Sequence, residues 1–494
     1  MKQTADKFWF VTGSQHLYGP ETLSQVSQQS RQIVQALAQR ATLPYALVDH
    51  GVLTTSDAIR RLFLEANADD SCAGVVVWMH TFSPAQMWIA GLSSNRKPLL
   101  HWHTQFHREI PWDRIDMDFM NLNQAAHGDR EFGFMSTRMK VPRKVVVGHW
   151  QDKDSARRIG SWMHVAVGWS ESQHLRLARF GDNMRNVAVT EGDKVEAGIR
   201  LGWSVEGFGV GDLAERVLKI SQAEVAAQMD RYHERYVIAE GVRQDAFKMD
   251  QVRGQARIEC AIRSFLEEGH FSAFTTTFED LHGLDQLPGL AAQDLMADGY
   301  GFGAEGDWKT SGLLRVLKVM ARGQATSFME DYTYHLVPGE ERVLGAHMLE
   351  VCPTIASGPP RVEVHPLSIG GKSDPARLVF DGRPGSALTV SLVDLGHRFR
   401  LVVNQVEAYA PDHPMPNLPV GRVLWRPYPS LTEAAEAWIY AGGAHHTVFT
   451  YAVSPEQIED LATLFGLESV VIGPQSSVSQ IRQQLQWGER VWGC

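Results

Sequence analysis

The chain is 494 residues long, enough for about three domains. It is 44% hydrophobic and 21% charged, an ordinary composition for a soluble protein, so a long disordered tail is not expected. Its 47 basic and 57 acidic side chains leave a formal charge of −10, which argues against a nucleic-acid binder and leaves small or neutral substrates open.

The first residues, Met1 to Phe10, hold no apolar stretch of signal-peptide length. The longest apolar run, Gly74-Val-Val-Val-Trp-Met79, is far short of a membrane span. Cys72, Cys260, Cys352 and Cys494 are scattered with no C-x-x-C pair. They read as small apolar residues rather than a disulfide framework, and a reducing cytoplasm with no membrane partner is expected.

In chain order, Phe8–Val11 reads as a strand ending in Thr12-Gly13-Ser14, followed by a helix near Ser24–Gln39. Val75–Met79, Pro98–Trp102 and Val145–Gly148 are further compact strands. Runs bounded by Gly and Pro without polar alternation suit parallel strands covered on both faces, so this part reads as an open α/β sheet. Ligands gather at the carboxyl ends of such strands, where Ser14–Gly19 and His80–Ser83 fall. A second α/β pattern starts at Asn186–Val189 and continues through helices at Ala223–Tyr236 and Arg257–Glu268 and a strand at Phe274–Phe278. After about residue 330 short β-rich runs (Arg377–Asp381, Ala387–Asp394, Phe399–Ala408) alternate with turns, which predicts a mainly antiparallel last third. Helices return at Leu431–Tyr440 and Pro455–Phe465.

Two motifs are decoys. Gly301-Phe-Gly-Ala-Glu-Gly306 fits G-x-G-x-x-G, but the residues before it, Ala291–Asp298, read as a helix, and Glu305 inside the loop would oppose a pyrophosphate. The better reading is a loop that presents Glu305. His101-Trp-His-Thr-Gln-Phe-His107 resembles a metal cluster but contains no carboxylate, and partly buried polar residues at a strand end explain it.

A third group is different. Phe328-Met-Glu-Asp-Tyr-Thr-Tyr-His335 packs two carboxylates, two tyrosines and a histidine together; His347 follows, and Gly442-Gly-Ala-His-His-Thr447 lies far downstream. Alone, Glu330 reads as a helix-capping or surface acid, His347 as a core histidine, and one of His445 and His446 as solvated. Together Glu305, Glu330, His347 and His446 form a mixed oxygen and nitrogen donor set that suits Mn²⁺ and tolerates Co²⁺, Mg²⁺ or Zn²⁺. No HExxH or EF-hand spacing adds to this.

Eight motifs in sequence then carry a resemblance: Ser14–Gly19, Asn121–Gln124 with Ala126-His-Gly128, Gly181–Arg185, Thr275–Asp280, Glu305–Lys309, Ser327–His335, His347–Pro353 and Gly442–Phe449. In order, they resemble the L-arabinose isomerase family. The resemblance implies two Rossmann-like or flavodoxin-like α/β domains of the fucose isomerase type (1–175 and 176–327), then a C-terminal antiparallel β-barrel domain with helices (328–494). It implies an aldose–ketose isomerase of L-arabinose and L-ribulose, and of D-galactose and D-tagatose, working through an enediol. Glu305 and Glu330 match the family's acid–base carboxylates and metal ligands, and His347 and His446 its imidazole ligands to one Mn²⁺. Gln15, Tyr18, Met184 and Phe278 match residues lining the sugar pocket, His445 is a candidate substrate contact, and His127 matches one supplied by a neighbouring subunit of a hexamer built as two trimers. The rival readings are a fucose-type sugar isomerase, a non-catalytic sugar-binding protein and an NAD-dependent oxidoreductase.

Overall fold

A computed structural model describes residues 6–39, 43–367, 371–396 and 398–492. Met1 to Ala5 and Cys494, considered above, lie outside the described residues. The chain divides into two compact units. The first runs to Glu171 and takes in Glu459–Gly466; the second comprises Ser172–Ile458 and the residues after Gly466.

The first unit is built on β1 (Lys7–Gly13), β2 (Ala46–Leu53), β3 (Cys72–Met79), β4 (Leu99–His103) and β5 (Lys144–Val147). All four pairings are parallel, in the order β2-β1-β3-β4-β5. That is the flavodoxin-like order, whose switch point falls between β1 and β3. Every residue of β3 is buried, as a strand covered on both faces requires. Alternation along β1 divides the core. Trp9 and Val11 join Ile59, Phe63 and Trp88 in one cluster, while the rings of Phe8 and Trp162, and of Phe10 and Trp102, meet at centroid separations of 5.5 and 6.0 Å. The strands expected at Phe8, Val75, Pro98 and Val145 are all present, as is the first helix, which runs Gly19–Gln39.

The second unit opens with a parallel sheet and carries a large mixed one. Its strands in chain order are β6 (Arg176–Phe180), β7 (Ser204–Phe208), the two-residue β8 (Val237–Ile238), β9 (Ala273–Thr276) and β10 (Gly301–Gly303). β10, β9, β6 and β7 are adjacent in that order, all parallel. Two expectations fail here. Asn186–Val189 is not a strand: Ala188–Thr190 is a short 3₁₀ turn, and the strand of this segment is β6, ten residues earlier. Gly301–Gly303, expected as loop, is β10.

The mixed sheet contains β11 (Thr326–His335), β12 (Arg342–Ala346), β13 (Arg361–Val364), β14 (Ala376–Asp381), β15 (Gly385–Asp394), β16 (Phe399–Tyr409), β17 (Gly421–Pro427), β18 (His446–Thr450) and β19 (Glu468–Ile472). β16, β15, β18, β11, β12 and β17 pair antiparallel in succession, and β17 pairs again with β16. β14 joins β17, β19 joins β16 and β8 joins β13 in parallel. The last third is therefore mixed, not purely antiparallel.

Three helices of this unit, Gln222–Arg235, Ala246–Glu268 and Gly289–Ala297, are tied by a partly buried charge cluster. Arg263 bridges Glu259 at 2.6 Å and Asp298 at 2.7 Å; Arg235 bridges Asp294 and Asp298, both at 2.7 Å; Arg231 reaches Asp298 at 2.7 Å. Burial alone would raise the Asp298 carboxyl, but the charges of Arg263 and Arg235 outweigh it and hold the group below the ordinary range. An acid lowered in the folded state contributes stability that is present above its unfolded value near 3.9 and is lost as pH falls through the folded one. Asp298→Asn should therefore cost about 1.5–3 kcal/mol at neutral pH, and the loss should shrink below about pH 4. Urea unfolding of parent and variant at pH 7 and pH 3.5 measures both; a pH-independent difference would contradict this assignment.

Candidate metal centre

The site grows from β11. Glu330 lies opposite Ala346 of β12 on one side and opposite His446 of β18 on the other. His347 directly follows Ala346, so strand pairing alone brings one carboxylate and two imidazoles to the same place. The ladder between β11 and β12 shifts register between Asp331 and Thr333. This bulge breaks the alternation of side chains: Glu330 and Tyr332 line one cavity, while Asp331 and Tyr334 line another.

The fourth donor comes from the parallel sheet. Glu305 sits between β10 and the helix Trp308–Met320, with φ at +60°. This left-handed backbone is unusual for a residue with a side chain and needs support from its surroundings. The turn is held on both sides: Met184 N–H donates to Glu305 O at 2.9 Å and Gly306 N–H donates to Thr276 O at 3.0 Å. Gly306 has φ +77°, and a Cβ there would stand 2.6 Å from Asp182 O and from Asn183 Cα. Next in sequence, Asp307 caps the helix, accepting from Thr310 N–H at 3.2 Å.

The donor atoms converge. One ligand atom each of Glu305, His347 and His446 lies within 4.8 Å of the others. His446 Nε2 is 3.8 Å from Glu305 Oε2, and His347 Nε2 is 4.0 Å from Glu330 Oε2. Both imidazoles are gripped from behind. His446 Nδ1 donates to Asp307 Oδ2 at 3.2 Å, and His347 Nδ1 donates to Glu350 Oε2 at 2.6 Å. Carboxylates behind the Nδ1 atoms fix the tautomer and leave each Nε2 lone pair free, the arrangement of metal-binding histidines. The Phe328 ring packs edge-on against both, at 5.0 and 5.1 Å between centroids.

His446 Nε2 is buried and has no hydrogen-bond partner among the described residues. A buried polar atom left unpaired in this way demands an explanation. A divalent cation shared with the neighbouring carboxylates supplies one, and the donor set fits it. Burial would raise Asp307, but the nearby Lys309 ammonium holds it far below the usual carboxylate range. Burial raises the Glu330 carboxyl above its ordinary value. Burial would lower His347, but the Glu350 carboxylate outweighs it and raises the imidazole.

Glu305, Glu330 and His347 line a cavity of about 270 Å³, walled by Met184, Phe278 and Tyr332. The structure thus brings six of the residues singled out from the sequence together. His445 goes elsewhere: its ring stacks edge-on at 4.4 Å from His446 but lines the other cavity, beside Asp331. Gln15, Tyr18 and His127 belong to the first unit, at the carboxyl ends of β1 and β3. Gln15 caps the 3₁₀ turn His16–Tyr18, and Tyr18 OH donates to Gln124 Oε1 at 2.9 Å. His127 is exposed, its ring 4.6 Å from that of Phe82. In the same unit, His101 and His103 share a face of β4 and both bond Asp129, at 2.8 and 2.6 Å. Sequence reasoning passed over Asp307, Glu350 and Phe328 as functional groups; the spacing His347-x-x-Glu350 was the available signal for the second of them.

Comparison with known proteins matches the chain to three family models. They are the L-arabinose isomerase N-terminal domain over residues 2–174, the central domain over 176–323 and the C-terminal domain over 325–468. Relatives named L-arabinose isomerase include one from Geobacillus stearothermophilus, 62% identical over 98% of each chain. Another, from Halalkalibacterium halodurans, is 60% identical over 98% of this chain and 97% of its own. A third, from Thermotoga neapolitana, is 57% identical over 99% and 98%.

If the two rear carboxylates orient the imidazoles for a cation, Asp307→Asn and Glu350→Gln should each weaken Mn²⁺ binding by about 10–100-fold. Electron paramagnetic resonance of free Mn²⁺ during titration measures this. Affinities within about twofold of the parent in both variants would remove the orienting role.

Proposed function

We propose, from the premise that this chain belongs to the L-arabinose isomerase family, that it interconverts L-arabinose and L-ribulose, and D-galactose and D-tagatose, at the Glu305–Glu330–His347–His446 centre. The observation that carries the reading is the convergence of Glu305, His347 and the unpaired Nε2 of His446, with Glu330 Oε2 4.0 Å from His347 Nε2. In this reading they hold one divalent cation, Mn²⁺ with Co²⁺ or Mg²⁺ as substitutes. When bound, that cation polarises the sugar carbonyl and opposes the negative charge that develops as a C–H proton leaves.

The protein's own groups do the rest. Aldose–ketose isomerisation moves a proton between C2 and C1 with no net redox change, so no nicotinamide is required. One of the Glu305 and Glu330 carboxylates accepts the C2 proton while the other group of the pair, as the acid, gives a proton to O1, which yields an enediol; the enediol then passes its O2 proton back to that second group as the first proton returns at C1. Positioned acid–base groups of this kind contribute about 10²–10⁴-fold. Asp307 and Glu350 keep the imidazoles aimed at the cavity. Met184 and Phe278 cover the apolar face of the sugar's carbon chain. The ring of antiparallel ladders through β15–β18, β11 and β12 supports reading the C-terminal region as the barrel that the resemblance implies.

The proposal extends to assembly. Among the described residues no helix is long and apolar enough to cross a membrane, and a cytoplasmic enzyme fits the free thiols of Cys72, Cys260 and Cys352. Exposed His127, and the exposed apolar side chains Trp112, Met117 and Phe134 in the same unit, suit a surface buried between subunits. A hexamer of two trimers, with His127 lent to a neighbour's sugar pocket, is the form proposed.

Two experiments test the chemistry. Metal-stripped protein should lose turnover on a panel of L-arabinose, D-galactose and L-fucose and regain it with Mn²⁺, most strongly on L-arabinose; full turnover without metal would contradict the cation's part. Glu305→Gln and Glu330→Gln should each lower kcat by about 10²-fold or more, and turnover in heavy water should place deuterium in the product. A near-parental kcat in either variant would remove that residue from proton transfer.

A further inference from the structure

The first turn of the helix Trp308–Met320 holds a cation where one is out of place. Lys309 is the second residue of that helix and is 1% exposed. Free backbone N–H groups make this end of a helix positive, and burial withholds water from an ammonium, so a lysine here is disfavoured twice. Three acceptors offset that cost. Lys309 Nζ donates to Val189 O at 2.9 Å and to Glu191 O, and it stands 3.5 Å from Asp307 Oδ1. Gly192 leaves room for the stem: a Cβ there would lie 3.1 Å from Lys309 Cδ.

Asp307 is equally buried, and both of its oxygens are committed. Oδ1 accepts from Thr310 N–H at 3.2 Å and faces the ammonium. Oδ2 accepts from Thr310 OH at 2.7 Å and from His446 Nδ1 at 3.2 Å. Turning the carboxylate would break contacts at both oxygens. Without the ammonium, Oδ1 would keep only the backbone N–H. A line of contacts therefore runs from the carbonyls of Val189 and Glu191 through Lys309 and Asp307 to His446.

We infer that Lys309 is a positioning residue of the metal centre: its ammonium, fixed by two loop carbonyls, holds Asp307 turned toward His446, and so aims His446 Nε2 without touching the cation or the sugar. The inference rests on the reading of the four donors as a cation site. Its sign separates it from a bare charge effect. A positive group repels a divalent cation, so loss of the charge alone would tighten metal binding, whereas loss of the positioning weakens it.

A double-mutant cycle on the full chain tests this, with Mn²⁺ affinity read by electron paramagnetic resonance of the free ion and folding by circular dichroism. Lys309→Met should weaken Mn²⁺ by about tenfold or more. Added to Asp307→Asn, the same substitution should change the affinity by less than about twofold, because its effect passes through the carboxylate already removed. Unchanged or tighter binding in Lys309→Met would overturn the inference, as would a full further loss in the double variant. If Lys309→Met fails to fold, the double variant, which removes both charges of the pair together, is compared with Asp307→Asn, and Lys309→Gln stands in for the single substitution. A parent chain that takes up no Mn²⁺ would sink the cation reading and this inference together. A parent that binds, is weakened by Asp307→Asn and is indifferent to Lys309 would sink this inference alone.

Discussion

Everything at the centre depends on the register of β11. Because this strand pairs on both sides, one residue, Glu330, faces His446 across one ladder and Ala346, the neighbour of His347, across the other. Side chains alternate along a strand, so a slip of one residue would turn Glu330 away and present Asp331 in its place. The bulge after Asp331 sends Tyr332 to the cavity on one face of the ladder and Tyr334 to the cavity on the other.

The second dependence is the junction between the two sheets of the larger unit. Glu305 and Asp307 leave β10 in one tight turn and serve the ladder from outside it. Asp307 performs two tasks with one carboxylate: it caps the helix Trp308–Met320 and orients His446. The left-handed backbone at Glu305 costs on the order of 1–3 kcal/mol, and the bonds from Met184 and Gly306 across that turn are what hold it. The same backbone that ends the parallel sheet thus aims two of the side chains of the centre. The stability of this corner and the placement of its donors are one property.

Much of the architecture was legible in the sequence where burial repeats in a simple pattern. Apolar runs such as Val75–Met79 have no other stable home than a covered parallel strand, and the helical spacing read over Ser24–Gln39 and Leu431–Tyr440 falls within the helices Gly19–Gln39 and Leu431–Ala441. Reading failed where short strands carry charge or glycine. β6, Arg-Leu-Ala-Arg-Phe, places two arginines in a parallel strand, and β10 is three residues with two glycines, so neither shows an apolar run. The donor residues were visible as types, and the family resemblance named them. Their partners Asp307 and Glu350 were not, because a carboxylate that orients a histidine looks like any other acid until its hydrogen bond is seen. The cavity that receives His445 depends on which side of a strand end the chain leaves, a detail that residue types do not encode.

The central claim, that Glu305, Glu330, His347 and His446 share one cation, is tested most directly by a crystal structure of Mn²⁺-loaded protein with anomalous data collected near the manganese edge. The account predicts a single strong anomalous peak per chain, within bonding distance (about 2.0–2.3 Å) of both carboxylates and both Nε2 atoms. A peak ligated elsewhere, or one that leaves any of the four donors out of reach, would contradict it.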